Sequence, residues 1–81
     1  MKVRLQFFSR LRDVTGQSEL DLEIPEGTTA GDLLAKLYAQ FPPLRDWDKS
    51  LLIGSGLEFV GRDHVLKPDA EISIMPPVQG G

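Results

Sequence analysis

Hydrophobic and polar residues alternate in two stretches near the start of the chain, and this pattern predicts two β-strands. A period of two places each apolar set on one face of a strand. A short turn separates the stretches, and Ser9 offers a capping oxygen to it. The apolar positions of the first stretch are Val3, Leu5 and Phe7, and those of the second are Leu20, Leu22 and Ile24.

From Thr28 the apolar spacing changes to that of a helix. Apolar residues recur three and four positions apart as far as Phe41, with Thr29 as a candidate N-cap and Asp32 in the first turn. The pair Pro42–Pro43 ends this helix, because proline donates no amide hydrogen and pushes the preceding residue out of the α region. The pattern therefore predicts one main helix.

The rest of the chain predicts three short strands after a loop that carries Trp47. They cover residues 51–54, 57–60 and 71–75. Strands on both sides of a single helix indicate an α+β fold, a mixed sheet of four to five strands with the helix across one face. We expect the first and last strands to lie side by side and parallel in the middle, as in the β-grasp fold. Residues 1–75 form the domain and 76–81 an extended tail.

Composition and charge exclude several classes of partner and site. With 9 Lys and Arg against 12 Asp and Glu, the chain carries a net charge of −3, which argues against a nucleic-acid partner. The absence of cysteine and the presence of one histidine exclude thiolate and multi-histidine metal sites, so no metal is expected. No apolar run reaches the ~20 residues that span a bilayer, and no signal segment precedes the first strand. We expect a cytoplasmic protein without a membrane partner.

Most catalytic constellations are missing. Gly54, Ser55 and Gly56 fit a hairpin turn better than a phosphate loop, because no helix follows them. His64 lies in a polar turn, where a solvated histidine is a simpler interpretation than a catalytic base. The alternating acids of the second strand indicate a solvated face. Arg10 and Arg12, beside Phe7–Phe8, form a candidate docking edge, although an ordinary charged surface explains them too.

The end of the chain is the segment with the most distinctive composition. Residues 75–81 carry no charged side chain, and Pro76–Pro77 favours an extended conformation. Gly80 and Gly81 have no side chain, so a carboxylate at Gly81 can pass through a narrow channel. A frayed terminus is the alternative interpretation. A carboxylate is a poor electrophile until ATP converts it to an acyl-adenylate.

Over essentially its whole length the chain resembles the small, sulfur-carrier subunits of molybdopterin synthase, which are ubiquitin-like β-grasp proteins. The resemblance rests on residues 3–16, on 25–29, and above all on the terminal Pro-Pro-Val-Gln-Gly-Gly of 76–81. One departure lies before the last strand, where the family commonly has Asp-Gly-Asp-Glu and this chain has Pro68-Asp69-Ala70-Glu71. Asp69 tolerates the left-handed conformation that glycine would adopt there.

The resemblance implies a chemistry for the tail. An E1-like enzyme would adenylate Gly81 with ATP, sulfur transfer would give a thiocarboxylate, and the large synthase subunit would pass the sulfur to cyclic pyranopterin monophosphate. No cofactor would be bound permanently, and the catalytic groups would belong to the large subunit of a heterotetramer. Gly81 would react, while the other tail residues would thread the partner's active site; these are Pro76, Pro77, Val78, Gln79 and Gly80.

By the same resemblance, Phe59 and Met75 match positions at which the family presents apolar side chains to its partners. Burial in the core is the alternative interpretation of Phe59. Other functions also stay open from the sequence: a sulfur carrier for thiazole, cysteine or tRNA thiolation, a ubiquitin-like modifier, or a β-grasp interaction module without chemistry.

Overall fold

The computed structural model describes residues 1–77. Five strands, two α-helices and one 3₁₀ helix follow one another along this part of the chain. In chain order they are β1 (Lys2–Phe7), α1 (Leu11–Thr15), β2 (Glu19–Glu23), α2 (Ala30–Gln40), the 3₁₀ helix (Pro42–Ser50), β3 (Leu52–Ser55), β4 (Glu58–Phe59) and β5 (Glu71–Met75).

The strands form one mixed sheet in the order β2-β1-β5-β3-β4. The central pair, β1 and β5, is parallel, with Leu5 opposite Ile72 and Phe7 opposite Ile74. The other pairs are antiparallel. The predicted parallel pairing of the first and last strands is therefore confirmed, and so is the mixed α+β sheet.

The core lies between one face of the sheet and α2. Odd-numbered residues of β1 and even-numbered residues of β5 face α2 and are almost completely buried, because successive side chains of a strand alternate between its faces. Phe7 also packs edge to face against Phe41, with 6.2 Å between ring centroids. The most deeply buried members of this core are Val3, Leu5, Leu11, Leu33, Leu37, Leu44, Ile72 and Ile74.

The termini of α2 follow the sequence prediction. Thr29 Oγ1 accepts from the Asp32 amide at 3.1 Å, and Asp32 Oδ2 accepts from the Thr29 amide at 3.2 Å, which completes a capping box. At the other end Phe41 leaves the helical region, with φ −127° and ψ 78°, just before Pro42. Asp69 has a φ of 60°, so the left-handed turn expected before β5 is also present.

Two local predictions were wrong. Trp47 does not lie in an irregular loop, because Pro42–Ser50 forms a 3₁₀ helix whose Leu44 is fully buried. Ser9 does not cap α1 with its side chain. Instead its backbone adopts a left-handed φ of 54°, and the cap position falls to Arg10.

The helices are too short to cross a bilayer. Within residues 1–77 none has the length and apolar content of a membrane span.

Candidate functional site

The face of the sheet opposite α2 is built from the alternate residues of the strands. The register places Gln6 beside Ser73, Ser73 beside Gly54, and Gly54 beside Phe59. These four positions form one row across the sheet. The sequence neighbours of Gln6 and Ser73 are buried in the core, whereas Glu58 beside Phe59 is exposed. The row therefore joins the centre of the sheet to its β4 edge.

Four apolar residues, which we call the outer apolar patch, lie on this face near the end of β5: Phe8, Leu52, Phe59 and Met75. Phe59 is 72% exposed and Phe8 43%, while Leu52 and Met75 are half-buried. Leu52 pairs with Met75 in the register. The Phe8 amide donates to the Ile74 carbonyl at 3.2 Å, which brings Phe8 level with Met75. Contiguous exposed apolar surface of this kind marks interaction sites.

Gly54 shapes the middle of the outer apolar patch. A Cβ built on Gly54 would lie 3.4 Å from Cε of Met75 and 3.5 Å from Cβ of Ser73. Both distances are ordinary van der Waals contacts, so the Met75 side chain lies over Gly54 of β3, which pairs with Phe59. The flexible thioether gives the patch a surface that can adapt to another protein.

The tail leaves the sheet beside a small cleft, which we call the tail-root cleft. β5 ends at Met75, and the next two residues are half-buried. The cleft measures about 250 Å³ and combines a hydroxyl, a guanidinium, an indole and two proline rings. Its lining residues are Ser9, Arg10, Trp47, Pro76 and Pro77.

A hydrogen-bonded cluster holds the 3₁₀ helix in place. The Tyr38 hydroxyl donates to Asp48 Oδ1 at 2.5 Å, and Arg62 Nη1 donates to the same oxygen at 2.7 Å. Burial, followed by the hydrogen bond to Asp48, raises the pKa of Tyr38 to about 12. The hydrogen bonds from Tyr38 and then from Arg62 lower the pKa of Asp48, and the bond to Asp48 raises the pKa of Arg62.

This cluster connects three elements. Tyr38 belongs to α2, Asp48 to the 3₁₀ helix, and Arg62 to the segment after β4. The Arg62 carbonyl also accepts from the Gly31 amide at 2.8 Å. Trp47 directly precedes Asp48, so the cluster also restrains the indole at the tail-root cleft.

The β2 side of the outer face is charged. Arg4 Nε lies 3.3 Å from Asp21 Oδ1, and Glu19 and Glu23 are exposed on the same strand as Asp21. The acids of β2 therefore line a solvated surface, as the alternation predicts. Within residues 1–77 no three acidic or histidine side chains are arranged to hold a metal ion.

His64 has defined backbone contacts in its loop. Its amide donates to the Gly61 carbonyl at 3.2 Å, and its carbonyl accepts from the Ala30 amide at 2.9 Å. The residue is half-buried. These contacts attach the loop to the start of α2 and give His64 a structural role.

The structure brings part of the predicted site together. Phe59 and Met75 share the outer apolar patch, Pro76 and Pro77 line the tail-root cleft, and Arg12 is exposed on α1. Phe59 therefore lies outside the core. The functional roles of these residues stay predictions. Val78, Gln79, Gly80 and Gly81 lie outside the described residues.

Sequence reasoning named Phe8 only as a neighbour of the candidate docking edge, and it did not assign Leu52 or Trp47 to the site. The outward position of Phe8 could be predicted from the sequence, because Phe8 continues the even-numbered positions of β1, which face away from the core. No such prediction was possible for Leu52 or Trp47. Leu52 joins the patch only through the pairing of β3 with β5, and Trp47 reaches the cleft only through the 3₁₀ helix.

Comparison with known proteins gives a consistent result. The model of the ThiS family matches residues 5–81. A molybdopterin synthase sulfur carrier subunit from Chlamydomonas reinhardtii is 31% identical over 83 residues and covers 100% of both chains. Small archaeal modifier proteins are also among the similar chains.

Two solved structures extend the comparison. A protein described as molybdopterin converting factor subunit 1 from Pyrococcus furiosus has a TM-score of 0.87 at 27% identity, over 96% of this chain and 99% of that one. A Helicobacter pylori complex of subunits 1 and 2 of the molybdopterin-converting factor contains a chain with a TM-score of 0.72 at 22% identity, covering 100% of both chains. At that identity the second likeness supports the fold. From the family match, which extends through the tail, the chain belongs to the ThiS family, together with sulfur carrier subunits of molybdopterin synthase.

Proposed function

We propose that this chain is the sulfur carrier subunit of a molybdopterin synthase and that the carboxylate of Gly81 is its reacting group. The observation that carries the proposal is the family match, which includes the Gly80–Gly81 pair after β5 and the two prolines. The domain supplies no catalytic constellation of its own within residues 1–77. Its role is that of a co-substrate that other proteins act upon.

The chemistry at Gly81 proceeds in four steps. ATP, held by an E1-like enzyme, converts the carboxylate to an acyl-adenylate and releases pyrophosphate. Sulfide then attacks the acyl carbon as the nucleophile, displaces AMP and leaves a thiocarboxylate. On the synthase the thiocarboxylate sulfur attacks a carbon of cyclic pyranopterin monophosphate and displaces an oxygen leaving group, which gives a thioester. Water then cleaves the acyl C–S bond of this thioester, which restores the Gly81 carboxylate and leaves the sulfur on the pterin, toward the dithiolene of molybdopterin. Activation consumes ATP, which favours a cytoplasmic location without a permanently bound cofactor.

The outer apolar patch is the surface through which the large subunit binds. Phe59 and Phe8 present apolar surface, and Met75 lies between them and the tail. Interfaces of this kind place aromatic and methionine side chains in a desolvated centre. Arg12 lies near this surface on α1, where an exposed cation can pair with an acidic residue of the partner. Binding at the patch would direct the tail into the partner's active site, with Gly80 giving clearance beside Gly81.

The test is the intact mass of the protein after incubation with ATP, a sulfur donor and the cognate E1-like enzyme. We expect a gain of ~16 Da, as sulfur replaces one oxygen of the Gly81 carboxylate. A variant without Gly81 is the matched control. It still ends in a glycine carboxylate, but its reach is about 3.5 Å shorter, and we expect no gain. An equal gain in both proteins would contradict the assignment of Gly81, and no gain with an active enzyme would contradict the carrier function.

A ubiquitin-like modifier is a second candidate, supported by the similarity to small archaeal modifier proteins. The adenylate of Gly81 would then pass to the amine of a lysine and form an isopeptide bond with loss of AMP. The same incubation with whole-cell protein separates the two functions. A modifier gives covalent conjugates that depend on Gly81, whereas a carrier gives the thiocarboxylate alone.

A further inference from the structure

The tail-root cleft has three features that the outer apolar patch does not explain. Its lining includes one cation, Arg10, and no acidic residue. Arg10 is exposed, and the ion pairs found within residues 1–77 do not involve it. Among residues 1–77 the Arg10 guanidinium therefore has no ion-pair partner, and it lines the cleft together with Pro76 and Pro77, where the tail leaves the domain.

Ser9 supplies the second feature. Its φ of 54° lies in the left-handed region, which serine rarely adopts. The other positive-φ positions within residues 1–77 are glycines and one aspartate, residues that accept this conformation more readily. Glycine would fit at position 9 without strain but would remove the hydroxyl. Strained positions of this kind concentrate at functional sites.

Trp47 supplies the third feature, a rigid wall. The indole is half-buried, and its sequence neighbour Asp48 is fixed by Tyr38 and Arg62. The lining also contains Pro76 and Pro77, whose rings restrict the backbone. A planar group entering this cleft would meet flat apolar sides, a hydroxyl and the forked donors of a guanidinium.

We propose that the tail-root cleft receives a carboxylate side chain from the rim of the large-subunit channel that takes up the tail. A carboxylate can accept from the Ser9 hydroxyl and from two guanidinium nitrogens of Arg10 at once. This contact positions the first residues of the tail and adds charge complementarity to the apolar docking surface, with which the cleft is continuous through Phe8–Ser9 and Met75–Pro76. The inference rests on the proposed function and identifies a specificity element within it.

The test compares the affinity of four variants for the purified large subunit by titration calorimetry at low and high salt. The variants are Ser9→Gly, Arg10→Ala, Arg10→Glu and the control Arg45→Ala, which removes an exposed arginine outside the cleft. We expect Arg10→Ala to weaken binding about fivefold and to flatten its salt dependence, and Arg10→Glu to weaken it about tenfold or more. The control should bind like the wild type.

Ser9→Gly gives the sharper result, because it separates folding from binding. Since glycine adopts positive φ freely, we expect the urea midpoint of unfolding to stay the same or rise while affinity falls about threefold. Unchanged affinity for Ser9→Gly and Arg10→Glu overturns the inference, and so does an equal loss for Arg45→Ala. If the wild type binds the large subunit and forms the thiocarboxylate, either of these outcomes overturns the inference but leaves the carrier function intact. Failure of the wild type to bind would overturn the synthase assignment and the inference together.

Discussion

Replacing Phe59 by alanine separates docking from folding, because Phe59 keeps 72% of its surface exposed. Just over a quarter of the side chain is then buried in the domain, so Phe59→Ala costs about 1 kcal/mol of unfolding free energy. Docking can bury roughly 150 Å² more, and losing this weakens binding by about 3 kcal/mol, or about 100-fold in Kd. The affinity should fall far more than the stability.

Phe7→Ala is the matched control, since it makes the same change in the core. Phe7 is 2% exposed and packs against Phe41, so its truncation costs about 3–5 kcal/mol. The free energy of unfolding of the whole domain is about 4–12 kcal/mol, so this variant loses between about a quarter and all of its stability. Urea denaturation followed by circular dichroism gives the stability, and calorimetric titration with the large subunit gives the affinity. Equal losses of stability and affinity for Phe59→Ala would refute the reasoning.

Three further predictions concern the helices. Tyr38 is the single tyrosine, so its absorbance at 295 nm should titrate near pH 12 in the folded protein and near 10 in urea; a folded midpoint near 10 would contradict the burial and hydrogen bond that raise its pKa. Because the folded pKa is the higher one, stability is fully present below about pH 10 and falls as pH rises through 12, and Tyr38→Phe should remove this decline in thermal melts. The folded pKa of Asp48 is lowered, so the stability that Asp48 contributes is present above the ordinary value of 3.8 and is lost as pH falls through the lower folded value. The stability of Asp48→Asn should therefore decrease less steeply with falling pH than that of the wild type. An equally steep decrease in both proteins would count against the cluster. Thr29→Ala should cost about 1 kcal/mol in urea unfolding and Thr29→Ser much less, because only alanine removes the capping oxygen; equal losses would mean that the cap contributes nothing.

Local chemistry explains which parts of the fold could be predicted from the sequence. Thr29 and Asp32 cap the helix through atoms three residues apart, and Pro42 excludes its own predecessor from the helix, so both ends of α2 can be read from neighbouring residues. Asp69 is similar, because its left-handed turn depends on one side chain. The interactions that decide these features span only a few positions.

The 3₁₀ helix and the left-handed Ser9 depend instead on distant residues. Leu44 is buried against the rest of the core, and Asp48 is held by Tyr38 and Arg62, which lie on other elements. No spacing within 42–50 reports these contacts. Ser9 has its conformation because the chain must turn between β1 and α1, whereas its residue type favours a cap.

The candidate site also contains residues that the sequence predicts and residues that depend on distant parts of the chain. The roles of Gly80 and Gly81 stay predictions, made from their residue type and their position in the chain. The outer apolar patch could be predicted only in part, since Phe8 follows β1 while Leu52 and Phe59 lie on β3 and β4, and the sheet register brings these segments together. Long-range pairing is the information that periodicity does not contain.

The position of β5 has a mechanical consequence. The strand that leads into the tail is hydrogen-bonded on both sides, to β1 in parallel and to β3 in antiparallel orientation. A pull on Pro76 along the strand axis loads these bonds together in shear, whereas an edge strand would open one bond at a time. A pull on the tail is therefore distributed over the centre of the sheet and does not peel away a strand.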